Sequence, residues 1–285
     1  MISLALVVGR LAVSVLPLVA PAVANTAAVS DLSSVDSTRA TPRVTHTIVV
    51  DAGHGGPDRG MSGPLGGRGP RLVEKDITLA VSKLTAEELR KRGHKVVMTR
   101  TTDTLIALGD RGEIANRARG DLFISIHVNA ANPQWKSAAS ARGFETYFLA
   151  EAKTEDDRRV AEMENASEQY ETERDVGKGN PLSFILADMK QNEHLRESSA
   201  LAAIVQRKLA TIHPGPNRGV KQAGFKVLVT AFMPAILVEM GFGTNPSEAA
   251  FLRSEKEQRR IATALADAAE AYLAEYDRRS SASAR

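Results

Sequence analysis

Four side chains in this sequence stand where ordinary packing would not place them: His54, Glu74, His127 and Glu239. His54 follows the β-branched run Thr47, Ile48, Val49, Val50 and is flanked by Gly53, Gly55 and Gly56. Those glycines let the chain turn sharply, leaving the imidazole at the carboxyl end of a strand. His127 closes a second apolar run, Leu122-Phe-Ile-Ser-Ile, in the same manner. Glu74 opens a helical pattern between them. Two imidazoles, one carboxylate and a fourth position left open make a catalytic zinc centre rather than a structural one. The chain has no cysteine, so any metal must be held by His, Asp or Glu. Hydrolysis at such a centre needs a group that carries a proton. Glu239 ends the apolar run Ala235-Ile-Leu-Val, where a carboxylate is out of place unless it has that work. Burial there raises its pKa toward neutrality.

The elements that must bring these groups together alternate strand and helix. After the first strand comes a loop from Gly55 to Pro70, with eight glycines between Gly53 and Gly69. No Gly-Lys-Ser/Thr follows, so the loop reads as an active-site rim rather than a phosphate cradle. Glu74 starts a helix with Ile77, Ala80, Val81 and Leu84 at helical spacing and Lys91-Arg-Gly93 as its stop. An acidic residue there also suits the helix dipole alone; its place between two strand-end histidines argues for a ligand. Lys95–Arg100 reads as a strand, Leu105–Arg119 as a helix, Asp121–His127 and Gly143–Leu149 as strands. Residues 153–175 are densely charged and helical, and Gly177-Lys-Gly-Asn-Pro181 ends them. Helices follow from Ser183 and over Ser198–Thr211, then strands at Phe225–Val229 and Ala235–Glu239, split by Met233-Pro234. An amphipathic helix over 255–276 closes the chain before a polar tail, 277–285. Such alternation predicts an α/β domain with parallel pairing, whose ligands bind at the carboxyl ends of the strands.

Composition narrows the partners. The 285 residues are 43% hydrophobic, 25% charged and 5% aromatic, with a formal charge of +3. That is an ordinary globular balance, and without a dense Lys/Arg stripe it does not point to nucleic acid. Arg10, the apolar stretch Leu11–Ala20 and Ala22-Val-Ala24 read as a signal peptide over 1–24, with an uncleaved membrane anchor as the alternative. Residues 25–45, small and polar, read as a flexible linker, leaving 46–276 as the catalytic domain.

Asp51-Ala-Gly-His-Gly-Gly, Glu74-Lys-Asp, Ser125-Ile-His-Val-Asn129 and Val238-Glu-Met-Gly-Phe242 together resemble the motifs of the zinc-dependent N-acetylmuramoyl-L-alanine amidases, the amidase-3 (AmiC-like) family. They occur in the family's order. The resemblance implies one α/β domain with a mixed six-stranded sheet flanked by helices. It also implies cleavage of the amide between N-acetylmuramic acid and L-alanine in peptidoglycan, in the periplasm or envelope of a bacterium. His54, Glu74 and His127 match the family's zinc ligands and Glu239 its catalytic glutamate. The spacing from His54 to Glu74 exceeds the usual family loop, so a different rim is expected. Segment 151–190 corresponds to the helix that, in division-associated members, folds over the zinc. Glu164 is the candidate inhibitory ligand, with Glu151 as alternate, and such a helix implies an activator protein of the division machinery. Three further roles are expected: Asp51 to orient a liganding imidazole, and Arg100 and Asn129 to hold the stem peptide or the oxyanion. Two alternatives stay open, a zinc-dependent cell-wall peptidase and a non-catalytic wall-binding or activator protein.

Overall fold

A computed structural model describes residues 44–66, 71–132, 134–172 and 181–283. The expected signal peptide, and all but the end of the expected linker, lie outside these residues. No described helix is long and apolar enough to cross a membrane.

The order of elements is β1 (Thr47–Ala52), β2 (Ser62–Gly63), β3 (Leu72–Val73), α1 (Glu74–Lys91), β4 (Lys95–Met98), α2 (Leu108–Arg117) and β5 (Leu122–Asn129). Then come β6 (Phe144–Leu149), α3 (Glu155–Asn165), a 3-10 turn (Ala166–Tyr170), α4 (Pro181–Leu209), β7 (Asn217–Ala223) and α5 (Lys226–Val229). The chain ends with β8 (Ala235–Phe242), α6 (Pro246–Arg253) and α7 (Glu255–Ser283).

Six strands form one sheet in the order β4-β1-β5-β8-β6-β7. β4, β1, β5 and β8 run parallel, β6 is antiparallel to β8, and β7 is parallel to β6. This is the mixed six-stranded sheet expected from the resemblance. Every residue of β5 and β8 is buried, as an apolar run covered on both faces requires. Ile124, Ile126, Ile236 and Val238 pack on one face against α1, α4 and α7, through Val81, Leu201 and Leu265. Phe123 and Leu237 pack on the other against α2, α3 and α5, through Leu108, Val160 and Leu228. Each such fully buried side chain contributes roughly 1.5–3 kcal/mol of transfer free energy. The sheet is therefore a rigid platform, and its carboxyl edge is where the polar residues of β1, β5 and β8 emerge.

Three sequence expectations are corrected. Phe225–Val229 is not a strand: Lys226–Val229 is a helical turn, and the adjacent side chains Val227 and Leu228 both face inward. The strand lies earlier, at Asn217–Ala223, which among the described residues pairs only with β6; an edge position tolerates its Gly219 and its charges. The polar tail is helical as far as Ser283. Asp277 accepts from His46 at 3.0 Å and Arg279 donates to Glu197 at 2.6 Å, which ties that last stretch to the domain.

Candidate metal centre

β1 delivers His54 at the edge of the sheet. Its backbone sits in the left-handed region at φ 59°, uncommon for a residue with a Cβ. Two buried arginines hold the chain in that turn. Arg111 donates to the carbonyls of Ala52 (2.8 Å) and His54 (3.1 Å), and Arg100 to those of Ala52 (2.9 Å) and Gly53 (2.7 Å). Gly53 is required by contact: a Cβ there would lie 2.5 Å from the His127 ring. The two imidazoles consequently meet edge to face, 4.9 Å between centroids.

Glu74 is the first residue of α1 and is buried. Oε2 accepts from the amide of Met61 and Oε1 from that of Val128, both at 2.8 Å, so the carboxylate is fixed between loop and sheet. Oε1 lies 3.1 Å from His54 Nε2 and 3.3 Å from His127 Nδ1.

The fourth group comes from α3. Thr154 caps this helix by accepting from the amide of Asp157, and Glu155, Asp156 and Asp157 complement its N-terminal dipole. Asp157, Val160, Ala161 and Glu164 form its buried face, at the spacing of one helical stripe. Val160 and Ala161 seat the helix on the core. Glu164 then reaches the histidines, with Oε2 2.7 Å from His127 Nδ1 and 3.1 Å from His54 Nε2.

His54, Glu74, His127 and Glu164 thus bring four ligand atoms within 4.8 Å of one another, all buried. Although the atoms are close, His54 Nε2, His127 Nδ1 and both Glu164 oxygens make no directed hydrogen bond. Buried donors and acceptors normally find partners; this set could hold a cation, and two imidazoles with carboxylates are a zinc-type donor set. Burial alone would lower the pKa of His127, but the carboxylates of Glu164 and Glu74 outweigh it and hold the ring at about 9.

His54 Nδ1 donates to Asp58 Oδ2 at 2.8 Å, which leaves Nε2 turned toward the cluster. This is the acceptor that metal-binding histidines use for orientation. Asp51, expected in that role, instead accepts from Thr99 (2.6 Å), Ser125 (2.6 Å) and Arg111 (2.9 Å). It anchors the strand ends beneath the site. The reason Asp58 escapes a sequence reading is its place within a glycine-rich loop; its one signal is an acidic residue four positions after a histidine.

Arg100, expected to hold the stem peptide or the oxyanion, donates from Nε and Nη2 to the β1 turn, from Nη1 to the carbonyl of Thr102, and from Nη2 to Lys75 and Thr78. Asn129 gives its side-chain amide to Glu145 at 2.6 Å. Glu151, the alternate to Glu164, is exposed and outside the four-residue cluster.

Glu239 lies on β8 in register with His127 of β5 and with Glu145 of β6. Neither of its oxygens has a hydrogen-bond partner among the described residues. Burial raises its pKa well above the ordinary carboxylate value, and the negative charges of Glu164, Glu74 and Glu145 raise it further. Glu145 contrasts with it: burial would raise its pKa too, but Lys221 and Arg218 hold it down. A cleft of about 500 Å³ opens beside the cluster, lined by His54, Asp58 and Glu74 on one side and by Met163, Glu164 and Ser167 on the other.

Residues 48–271 match the family model described as N-acetylmuramoyl-L-alanine amidase. The chain is 32% identical over 230 residues to N-acetylmuramoyl-L-alanine amidase AmiA of Escherichia coli (strain K12), covering 81% of this chain and 77% of that protein. Among solved structures, the N-acetylmuramoyl-L-alanine amidase from Clostridium difficile 630 aligns at TM-score 0.58 and 30% identity, covering 80% of this chain and 97% of that one. AmiC2 of Nostoc punctiforme aligns at 0.57 and 29%, with the same coverage. Fold, motif order and likeness agree: the chain belongs to the N-acetylmuramoyl-L-alanine amidase family of peptidoglycan hydrolases.

Proposed function

We propose that this amidase binds zinc through His54, Glu74 and His127, uses Glu239 as its proton carrier, and is held inactive by Glu164. The observation that carries the reading is the convergence of four buried ligand atoms, one of which belongs to a helix laid over the sheet edge. Zinc, when bound, polarises the amide carbonyl and lowers the pKa of its water to roughly 7.

The chain's own residues do the rest. Asp58 and Glu74's amide partners fix the ligands before substrate arrives. Glu239, buried beside His127 with both oxygens uncommitted, takes the proton of the attacking water. It then delivers that proton to the amide nitrogen of L-alanine as the bond to the muramoyl carbonyl breaks. A raised pKa suits it to hold the proton between the two transfers. Glu164 stands where water and the scissile carbonyl must enter. Its helix has to move before turnover, which is work for an activator protein, and the division machinery is the candidate source. The substrate lies outside the cytoplasmic membrane, in keeping with residues 1–24 as an export signal.

Digestion of purified peptidoglycan tests this reading. Stem peptides beginning at L-alanine should appear with zinc, vanish with chelator and vanish for Glu239→Gln. Shortened peptides still joined to muramic acid would instead establish a peptidase.

A further inference from the structure

Glu164 is not the only carboxylate that α3 lends to the sheet edge. On β7, Arg218 and Lys221 both reach across to β6, where Arg218 Nε donates to Glu145 Oε2 at 2.7 Å and Lys221 Nζ lies 2.8 Å from the same oxygen. The other oxygen of Glu145 accepts from Asn129 (2.6 Å) and Tyr147 (2.9 Å). Glu145 is thus fully engaged, and one buried carboxylate faces two cations. The surplus positive charge is met by α3: Asp156 Oδ2 lies 3.2 Å from Arg218 Nη2 and 3.8 Å from Lys221 Nζ, and Asp157 Oδ1 lies 3.2 Å from Lys221 Nζ. Asp157 Oδ1 makes no directed hydrogen bond there, so its contribution is charge.

Asp157 and Glu164 belong to the same buried stripe of α3, with Cα atoms about 10 Å apart along the helix. The helix therefore sets one carboxylate at the metal centre and another, two turns back, on a cationic pair. When α3 leaves, Arg218 and Lys221 lose Asp156 and Asp157 but stay pinned by Glu145, the strand neighbour of Glu239. A buried or half-buried cationic pair left this way is a ready anion site, since charge-assisted hydrogen bonds to carboxylates are among the strong ones.

The geometry points to a carboxylate subsite at Arg218 and Lys221 that reads the second residue of the stem peptide, and that Asp156 and Asp157 fill in the closed form. In peptidoglycan the residue after L-alanine is a D-glutamate joined through its side-chain carboxyl, so its α-carboxylate is free. It lies within two extended residues of the scissile amide, roughly 7 Å, and Glu145, which holds both cations, is the cross-strand partner of Glu239. This assignment rests on the amidase reading and adds its substrate preference: a free carboxylate rather than its amide at that position.

The test uses the full zinc-loaded chain carrying Glu164→Ala, Asp156→Asn and Asp157→Asn, so that α3 no longer competes. Two muramoyl peptides are compared, one with D-isoglutamate and one with D-isoglutamine as second residue. KM for the amide is expected to be higher by about tenfold, the worth of one hydrogen bond to a charged group, with kcat little changed. Lys221→Gln in that background should bring the ratio close to one. Equal KM values for the two substrates overturn the subsite without any change on β7, as does a ratio that persists in a folded Lys221→Gln chain. Cleavage of both substrates with equal KM leaves the amidase standing and removes only the subsite; cleavage of neither removes both.

Discussion

Ser167 donates to Asp58 at 2.7 Å, on the same carboxylate oxygen that receives the Nδ1 proton of His54. The segment that covers the site is therefore tied to the group that orients His54, a proposed metal ligand. Closure and ligand geometry share one carboxylate.

That tie gives a mild way to loosen the cover. Ser167→Ala removes one hydrogen bond worth about 1 kcal/mol while leaving Asp58 bonded to His54 and to the amide of Gly60. Zinc affinity should be unchanged and basal amidase activity should rise by about fivefold. A fall in activity at unchanged zinc content would count against the closed-cover account.

Asp58→Asn acts on the metal instead. Replacing the acceptor behind a liganding imidazole should weaken zinc binding by about 10- to 100-fold, measured by competition with a chromogenic chelator. Unchanged affinity would return the orienting role to another group.

The buried Arg111–Asp51 pair carries the β1 turn. Asp51 would be raised by burial, yet Arg111, Ser125 and Thr99 hold it below the ordinary carboxylate value. Arg111→Met strands that charge and removes the donor to the carbonyls of Ala52, His54 and Ile106, and breaking a buried pair in this way costs about 3–5 kcal/mol. Urea unfolding should show the loss; a cost below about 1 kcal/mol would mean that the pair is dispensable.

Much of this was legible because strand-end histidines and an in-strand glutamate are anomalies that packing alone does not produce. His54, Glu74 and His127 do converge, and Glu164 does reach them. The remainder was hidden for physical reasons. Phe225–Val229 has strand composition, but after Gly224 it folds into a turn that buries Val227 and Leu228 together. Asn217–Ala223 lacks strand composition because an edge strand need bury little. Arg100 and Asp51 look like ligand-facing polar residues, and only the hydrogen bonds show Arg100 on the β1 backbone and Asp51 on Thr99, Ser125 and Arg111.

Acid should weaken the fold at a buried histidine outside the metal cluster. Burial pushes the His213 imidazole down to about 4 from an ordinary 6.5. Nδ1 accepts from the amide of Gly215 at 2.9 Å, and Phe144 and Phe251 pack around the ring. A depressed histidine binds its proton first in the unfolded chain. Its stabilising contribution, up to roughly 3 kcal/mol, is whole above the unfolded pKa and is lost as pH falls toward the folded one. His213→Asn, which keeps an acceptor for Gly215, should flatten the loss of stability between about pH 7 and 4.5. Parallel curves for the two proteins would contradict this.

The most direct measurement is the rate at which the full zinc-loaded chain releases L-alanine-terminated stem peptides, compared with Glu164→Ala at equal zinc content. If Glu164 closes the metal centre, the substitution raises the rate several-fold and Glu239→Gln in the same chain abolishes it. An unchanged or lower rate in a folded, zinc-loaded Glu164→Ala chain would contradict the account at its centre.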